Sequence, residues 1–136
     1  MAEDIVTNML SFKELKKILK KDLSSLPKIR MSLIGDTATQ FLATAIKGTG
    51  AERGYNVDLF EAEYNQVERQ FLDPTSELYE FNAEIVVLFQ STHKLGEIHS
   101  FLQVDQQQNL ADERLSFISS VCENPALQGG GKNNMF

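Results

Sequence analysis

The sequence predicts an α/β fold: a three-layer arrangement around a mostly parallel sheet, truncated after the third strand–helix unit. Three observations carry this expectation. Residues 29–42 read as a short strand, a tight turn at Gly35-Asp36-Thr37 and a helix. With a second strand at Tyr55–Glu61 they form a strand–helix–strand unit of roughly 33 residues, the spacing of a right-handed crossover between parallel strands. Finally, Glu84-Ile-Val-Val-Leu-Phe-Gln90 reads as a strand whose unbroken apolar run suits burial on both faces, as in the middle of such a sheet, and a sheet truncated after it would leave an exposed edge beside it.

Composition sets the frame. The chain has 136 residues, which favours one domain with a sizeable core. A formal net charge of −6 argues against a nucleic-acid surface. The lone cysteine, Cys122, excludes a disulfide framework and a thiolate zinc site, and fits a reducing, cytoplasmic setting. No apolar run approaches the roughly 18 residues that span a bilayer, and Met-Ala-Glu-Asp at the start lacks the pattern of a signal peptide. No membrane partner is expected.

Residues 1–10 are expected to be a lead-in. Ser11-Phe-Lys-Glu14 matches a capping box, and Phe12, Leu15, Ile18, Leu19 and Leu23 follow at helical spacing, predicting a helix over Phe12–Leu23. Lys13 to Arg30 holds seven basic and two acidic residues, whereas Glu52 to Glu84 holds nine acidic and two basic. The basic helix is a solvated face or a docking surface for an interaction module. Pro27 leads into the first strand, where Ile29, Met31 and Leu33 alternate. Asp36 or Thr37 can cap the next helix, whose inward face is expected to carry Phe41, Leu42, Ala45 and Ile46. Gly48 and Gly50 weaken that helix and Gly54 stops it. Tyr55, Val57 and Leu59 alternate in the second strand.

Tyr64 to Leu72 has helical spacing through Val67, Phe71 and Leu72, Asp73-Pro74 breaks it, and Pro74-Thr-Ser-Glu77 starts another helix. Ser91-Thr-His-Lys-Leu-Gly96 leaves the carboxyl end of the third strand as a polar segment. Residues 97–109 are ambiguous. Leu110–Glu123 reads as a helix with Leu115, Ile118, Val121 and Cys122 inward, Cys122 as a buried small hydrophobe. Asn124-Pro125 ends it, and Gly129-Gly-Gly-Lys132 opens a flexible tail. The organisation expected is a lead-in and helix over 1–28, an incomplete α/β domain over 29–126 and a Gly-rich tail over 127–136.

Ligands of open α/β sheets bind beyond the carboxyl ends of the strands. Candidate cleft residues are therefore Gly35, Asp36 and Thr37 after the first strand, Tyr64 and Gln66 after the second, and Ser91 and His93 after the third. There is no dinucleotide fingerprint and no P-loop. His93 and His99, six residues apart without a carboxylate at ligand spacing, make a poor metal site, so no metal or other cofactor is expected in this chain.

Gly35-Asp36-Thr37 resembles the Gly-Asp-Ser turn of SGNH-type esterases, where the third residue is the nucleophile. Thr37 is the weak catalytic candidate this implies, for an esterase or acyltransferase. Its extra methyl crowds attack and it needs a base. The family's Asp-x-x-His pair has no counterpart here.

A wider resemblance covers roughly residues 10–125. It is carried by Leu33-Ile-Gly-Asp-Thr-Ala-Thr-Gln-Phe-Leu42, Gly54-Tyr-Asn-Val-Asp-Leu-Phe-Glu61, Tyr64-Asn-Gln66, Phe71-Leu-Asp-Pro-Thr-Ser-Glu-Leu-Tyr79 and Ile85-Val-Val-Leu88. These segments resemble the N-terminal domain of FkbH-like proteins, a branch of the haloacid-dehalogenase superfamily. The resemblance implies a flavodoxin-like or SGNH-like domain ahead of a haloacid-dehalogenase catalytic domain, often with an acetyltransferase-like domain beyond. It also implies a parent that is a phosphatase, or that loads a phosphoglyceryl-derived group onto an acyl carrier protein. Magnesium and the Asp-x-Asp aspartates would belong to the catalytic domain, since this chain contains no Asp-x-Asp. The expected role is then a non-catalytic module. Its partners are the remainder of its own polypeptide and an acyl carrier protein.

Overall fold

A computed structural model describes residues 9–128, so residues 1–8 and most of the Gly-rich tail lie outside the described residues. Three strands, β1 (Lys28–Gly35), β2 (Asn56–Glu61) and β3 (Ile85–Phe89), form one sheet in the order β2-β1-β3. The strands are parallel and helices flank them. The α/β class expected from the crossover spacing is what the chain adopts. β1 pairs with β3 from Met31↔Ile85 to Gly35↔Phe89. β3 has the exposed edge expected beside residues 84–90, but not the burial on both faces that its apolar run suggested. β1 sits in the middle, with Leu33 and Ile34 both fully buried although they point to opposite faces. β3 stands at the edge with Phe89 40% exposed. An apolar run reports composition, while the order of strands depends on which crossover turns which way. The described residues divide into two compact units, 9–29 with Gln40–Leu59, and Arg30–Thr39 with 60–128.

The first unit holds α1 (Phe12–Ile18) and α2 (Gln40–Glu52). The capping box forms: Ser11 Oγ accepts the Glu14 N–H at 3.3 Å, and Glu14 Oε2 accepts the Ser11 N–H at 2.7 Å. α1 ends at Ile18 rather than Leu23. Beyond it the chain tightens, Lys20 N–H going to Lys17 O, and Asp22 Oδ1 accepts the Ser24 N–H at 3.0 Å. Such local side-chain acceptors compete with the helical ladder. In α2 the expected face is also overturned. Its buried residues are Ala43, Gly48 and Ala51, while Phe41 is 77% exposed and meets Phe12 edge-on. The small residues allow α1 to come close: a Cβ on Gly48 would stand 2.7 Å from Leu15 Cβ. Gly54 stops α2 as expected. It has φ +90°, its N–H bonds Ala51 O, and the Tyr55 N–H returns to Gly50 O at 2.8 Å, a Schellman closure that favours glycine.

The second unit contains the main core. Ile34, Ala62, Val67, Phe71, Leu78, Val86 and Val121 are buried together. They come from β1 and β3, from α3 (Val67–Leu72) and α4 (Glu77–Phe81), and from α7 (Leu110–Cys122), with Ala62 directly after β2. The Asp73-Pro74 break is fastened by side chains. Asp73 Oδ1 accepts both the Thr75 N–H and O–H, Ser76 Oγ donates to Gln70 O at 2.6 Å, and the buried Gln70 accepts the Leu78 N–H at 3.0 Å. Tyr79 donates to Phe71 O and accepts from Asn124 at 2.9 Å, and burial raises its phenol pKa. On α7 the inward residues are Phe117, Ile118 and Val121, whereas Leu115 and Cys122 are exposed. The expectation of a buried Cys122 is therefore corrected: Phe117 meets Phe71 edge-on at 6.2 Å and sets the helix rotation. The polar segment from Ser91 is helical. Ser91 Oγ accepts the Lys94 N–H at 3.1 Å and caps α5 (Thr92–Phe101), and α6 (Val104–Gln107) and α8 (Pro125–Gln128) complete the described elements.

Candidate functional site

β1 is the switch point of the sheet, since the chain leaves it first toward β2 on one side and later reaches β3 on the other. A crevice beyond the carboxyl ends of the strands is the expected consequence. There, within the second unit, lies a cavity of about 260 Å³. Asp36 enters it from the end of β1 and Gln90 from the end of β3. Tyr64, Asn65, Val67 and Glu68 come from the segment after β2 and the start of α3. Lys94, Leu95 and Ile98 come from α5, and Arg114 from α7.

Gly35 makes the turn possible. A Cβ there would stand 2.6 Å from Thr39 Cγ2, and Thr39 is itself buried and donates to Glu61 Oε1 at 2.7 Å. Asp36 is held on both sides. Its N–H donates to Phe89 O at 3.2 Å, and its carboxylate accepts the Ser91 N–H at 3.0 and 3.1 Å. It therefore does not cap α2, which starts four residues later at Gln40. Instead it ties the end of β1 to the cap of α5.

The other charges of the cleft are also paired. Arg114 Nη1 meets Glu68 Oε1 at 3.0 Å, and Lys94 Nζ meets Glu97 Oε2 at 3.4 Å. Of the residues proposed from the sequence, Asp36 and Tyr64 line the cavity, and Ser91 is bonded to Asp36. Gln66 turns to Arg69, whose Nη1 donates to it at 3.2 Å. His93 is 83% exposed and faces Glu97 at 3.2 Å. Thr37 is half-buried, and among the described residues no hydrogen bond joins it to either histidine. Among the same residues no group of three or more His, Cys, Asp or Glu side chains could hold a metal ion.

The sequence did not single out Asn65, Glu68, Gln90, Lys94 or Arg114. Gln90 carried a signal, as the first polar residue after the apolar run of β3. Arg114 carried none, because α7 reaches the cleft only through the packing of Phe117 on Phe71.

Comparison with known families gives a match to the FkbH N-terminal domain over residues 30–129. The chain belongs to this family. This FkbH N-terminal domain is similar to the crystal structure of the N-terminal part of a Bacteroides fragilis protein, a part that contains a phosphatase domain complexed with Mg. The TM-score is 0.82 and the identity 56%, over 85% of this chain and 31% of that one. This FkbH N-terminal domain thus spans about a third of a chain that also carries a phosphatase domain. Comparison with curated proteins finds no match. Among the described residues no helix is long and apolar enough to cross a membrane.

Proposed function

We propose that this FkbH N-terminal domain is a non-catalytic module that positions a substrate, or the carrier protein bearing it, for a haloacid-dehalogenase-type phosphatase or acyl-carrier-loading domain of the same polypeptide. The observation that supports it most is the engagement of Asp36. The one acid placed at the strand-to-helix turn accepts a backbone N–H from Ser91, so it builds the mouth of a cleft instead of activating a nucleophile. The cleft at the switch point then offers a binding surface made by the segments after β1, β2 and β3. Asp36, Tyr64 and Ser91 are its proposed binding or shaping residues among those named from the sequence. The similar phosphatase-containing chain supports the placement beside a catalytic domain.

The test is a titration of the chain against an acyl carrier protein bearing its phosphopantetheine arm. Binding should weaken on Tyr64→Ala and survive charge reversal of Lys16, Lys17, Lys20 and Lys21. The opposite pattern would make α1 the docking surface and leave the cleft idle. Hydrolysis of p-nitrophenyl acetate should be negligible and unchanged by Thr37→Ala. An activity abolished by that substitution would instead establish the esterase or acyltransferase reading.

A further inference from the structure

Charge is divided unevenly between the two compact units. Residues 9–29 and 40–59 hold eight basic and four acidic residues, whereas residues 30–39 and 60–128 hold four basic and thirteen acidic ones, with histidine counted as neutral. The basic excess gathers on α1. Lys13, Lys16 and Lys17 stand at i, i+3 and i+4 on one side of the helix, and Lys20 follows. All four are exposed, and none forms an ion pair with the described residues. Beside them Phe12 and Phe41 meet edge-on while remaining 38% and 77% exposed. Such a surface fits an acidic partner that also offers an apolar side chain. The chain carries one itself. Residues 73–84 contain four acidic residues and no basic one. Asp73 and Glu77 share Arg69, whereas Glu80 and Glu84 are exposed and form no ion pair with the described residues. Leu72, directly before this run, is 67% exposed.

We propose that copies of this chain associate head to tail, the α1 lysines and the Phe12–Phe41 pair of one copy meeting Glu80, Glu84 and Leu72 of the next. The contact joins unlike faces, so each assembly keeps one unused face of each kind and can grow. The net charge of −6 opposes association, so the contact is weak and depends on unscreened local attraction. The proposal is independent of the cleft and of what enters it. The test is sedimentation equilibrium of the 136-residue chain in about 0.05 M and about 0.5 M salt. In dilute salt the weight-average mass should climb above 15.3 kDa as protein concentration rises, and in concentrated salt it should return to 15.3 kDa. Two variants remove one face each: Lys13→Gln/Lys16→Gln/Lys17→Gln/Lys20→Gln, and Glu80→Gln/Glu84→Gln. Each should stay monomeric, and their equimolar mixture should stop at about twice 15.3 kDa, because one contact can form and no second. All six substitutions remove charges without ion-pair partners among the described residues, and each variant's amide spectrum verifies that it is folded. A parent that remains at 15.3 kDa in dilute salt would overturn the proposal. Association that persists in concentrated salt or in the α1 variant would overturn it in favour of two β3 edges pairing through their backbones. A mixture no heavier than its components would overturn the pairing of these two faces.

Discussion

Asp36 was the most conspicuous residue in the sequence and remains so in the structure, with a different job. Its position at the end of β1 was legible, because an apolar alternation ended in Gly-Asp-Thr. Its partner was not, because Ser91 lies 55 residues away and only the β1–β3 pairing brings it near. A carboxylate accepting a backbone N–H is worth about 1.5–3 kcal/mol. Asp36→Ala should lower the unfolding free energy by that order, read as a reduced urea midpoint at unchanged slope, whereas an unchanged midpoint would mean that the contact contributes nothing. Ser32 gives the reverse case. It is fully buried in β1 and its hydroxyl has no hydrogen-bond partner among the described residues. Replacing it with alanine removes an unsatisfied group, so Ser32→Ala should raise stability by about 1 kcal/mol in the same assay. Glu77 carries a pH dependence. Its own N–H, then the Gln70 amide and the Arg69 guanidinium, hold its carboxyl at about 2, against an ordinary value of 4.5. A depressed folded pKa stabilises above the unfolded value and is lost as pH falls through the folded one. Thermal melts between pH 4.5 and pH 2 should therefore fall more steeply for the parent than for Glu77→Gln. Parallel curves would place the titration elsewhere.

Helices and strands were legible where the signal was local. The capping box at Ser11 and the stop at Gly54 need only neighbouring residues, and both form as expected. The faces of α2 and α7 were not legible. Leu42, Ala45 and Ile46 have the right hydrophobicity for a core, but α1 packs where Gly48 lets Leu15 approach. Glycine inside a helix costs roughly 0.5–1 kcal/mol relative to alanine, so Gly48→Ala would ordinarily stabilise. Here the new methyl would press on Leu15, and we expect a fall in melting temperature. A rise would show that α1 can shift outward at no cost. The block Leu72-Asp-Pro-Thr-Ser-Glu77 offers a related lesson. It carried much of the family resemblance, yet its side chains close the corner between α3 and α4 around the buried Gln70. Gln70→Ala would strand the Leu78 N–H, at a cost of about 1–3 kcal/mol, measurable as a reduced urea midpoint.

At the scale of the molecule, the α/β class was readable from one crossover spacing, but the order of the strands was not. β3 has the more continuous apolar composition, and β1 has the two buried faces. The cleft was half legible for the same reason. Its rim residues follow the strands in sequence, while Arg114 is delivered by a helix whose rotation depends on the core. The central place of β1 has a consequence during synthesis. Met31 leaves the ribosome 54 residues ahead of its register partner Ile85, which at about 5–20 residues per second is a delay of roughly 3–11 s. The strand that ends with the least water around it is thus the one that waits longest for cover. In a cell this interval is where a nascent-chain chaperone would find its substrate, and crosslinks from a photoreactive group at Leu33 should concentrate on ribosome-stalled chains that stop short of β3.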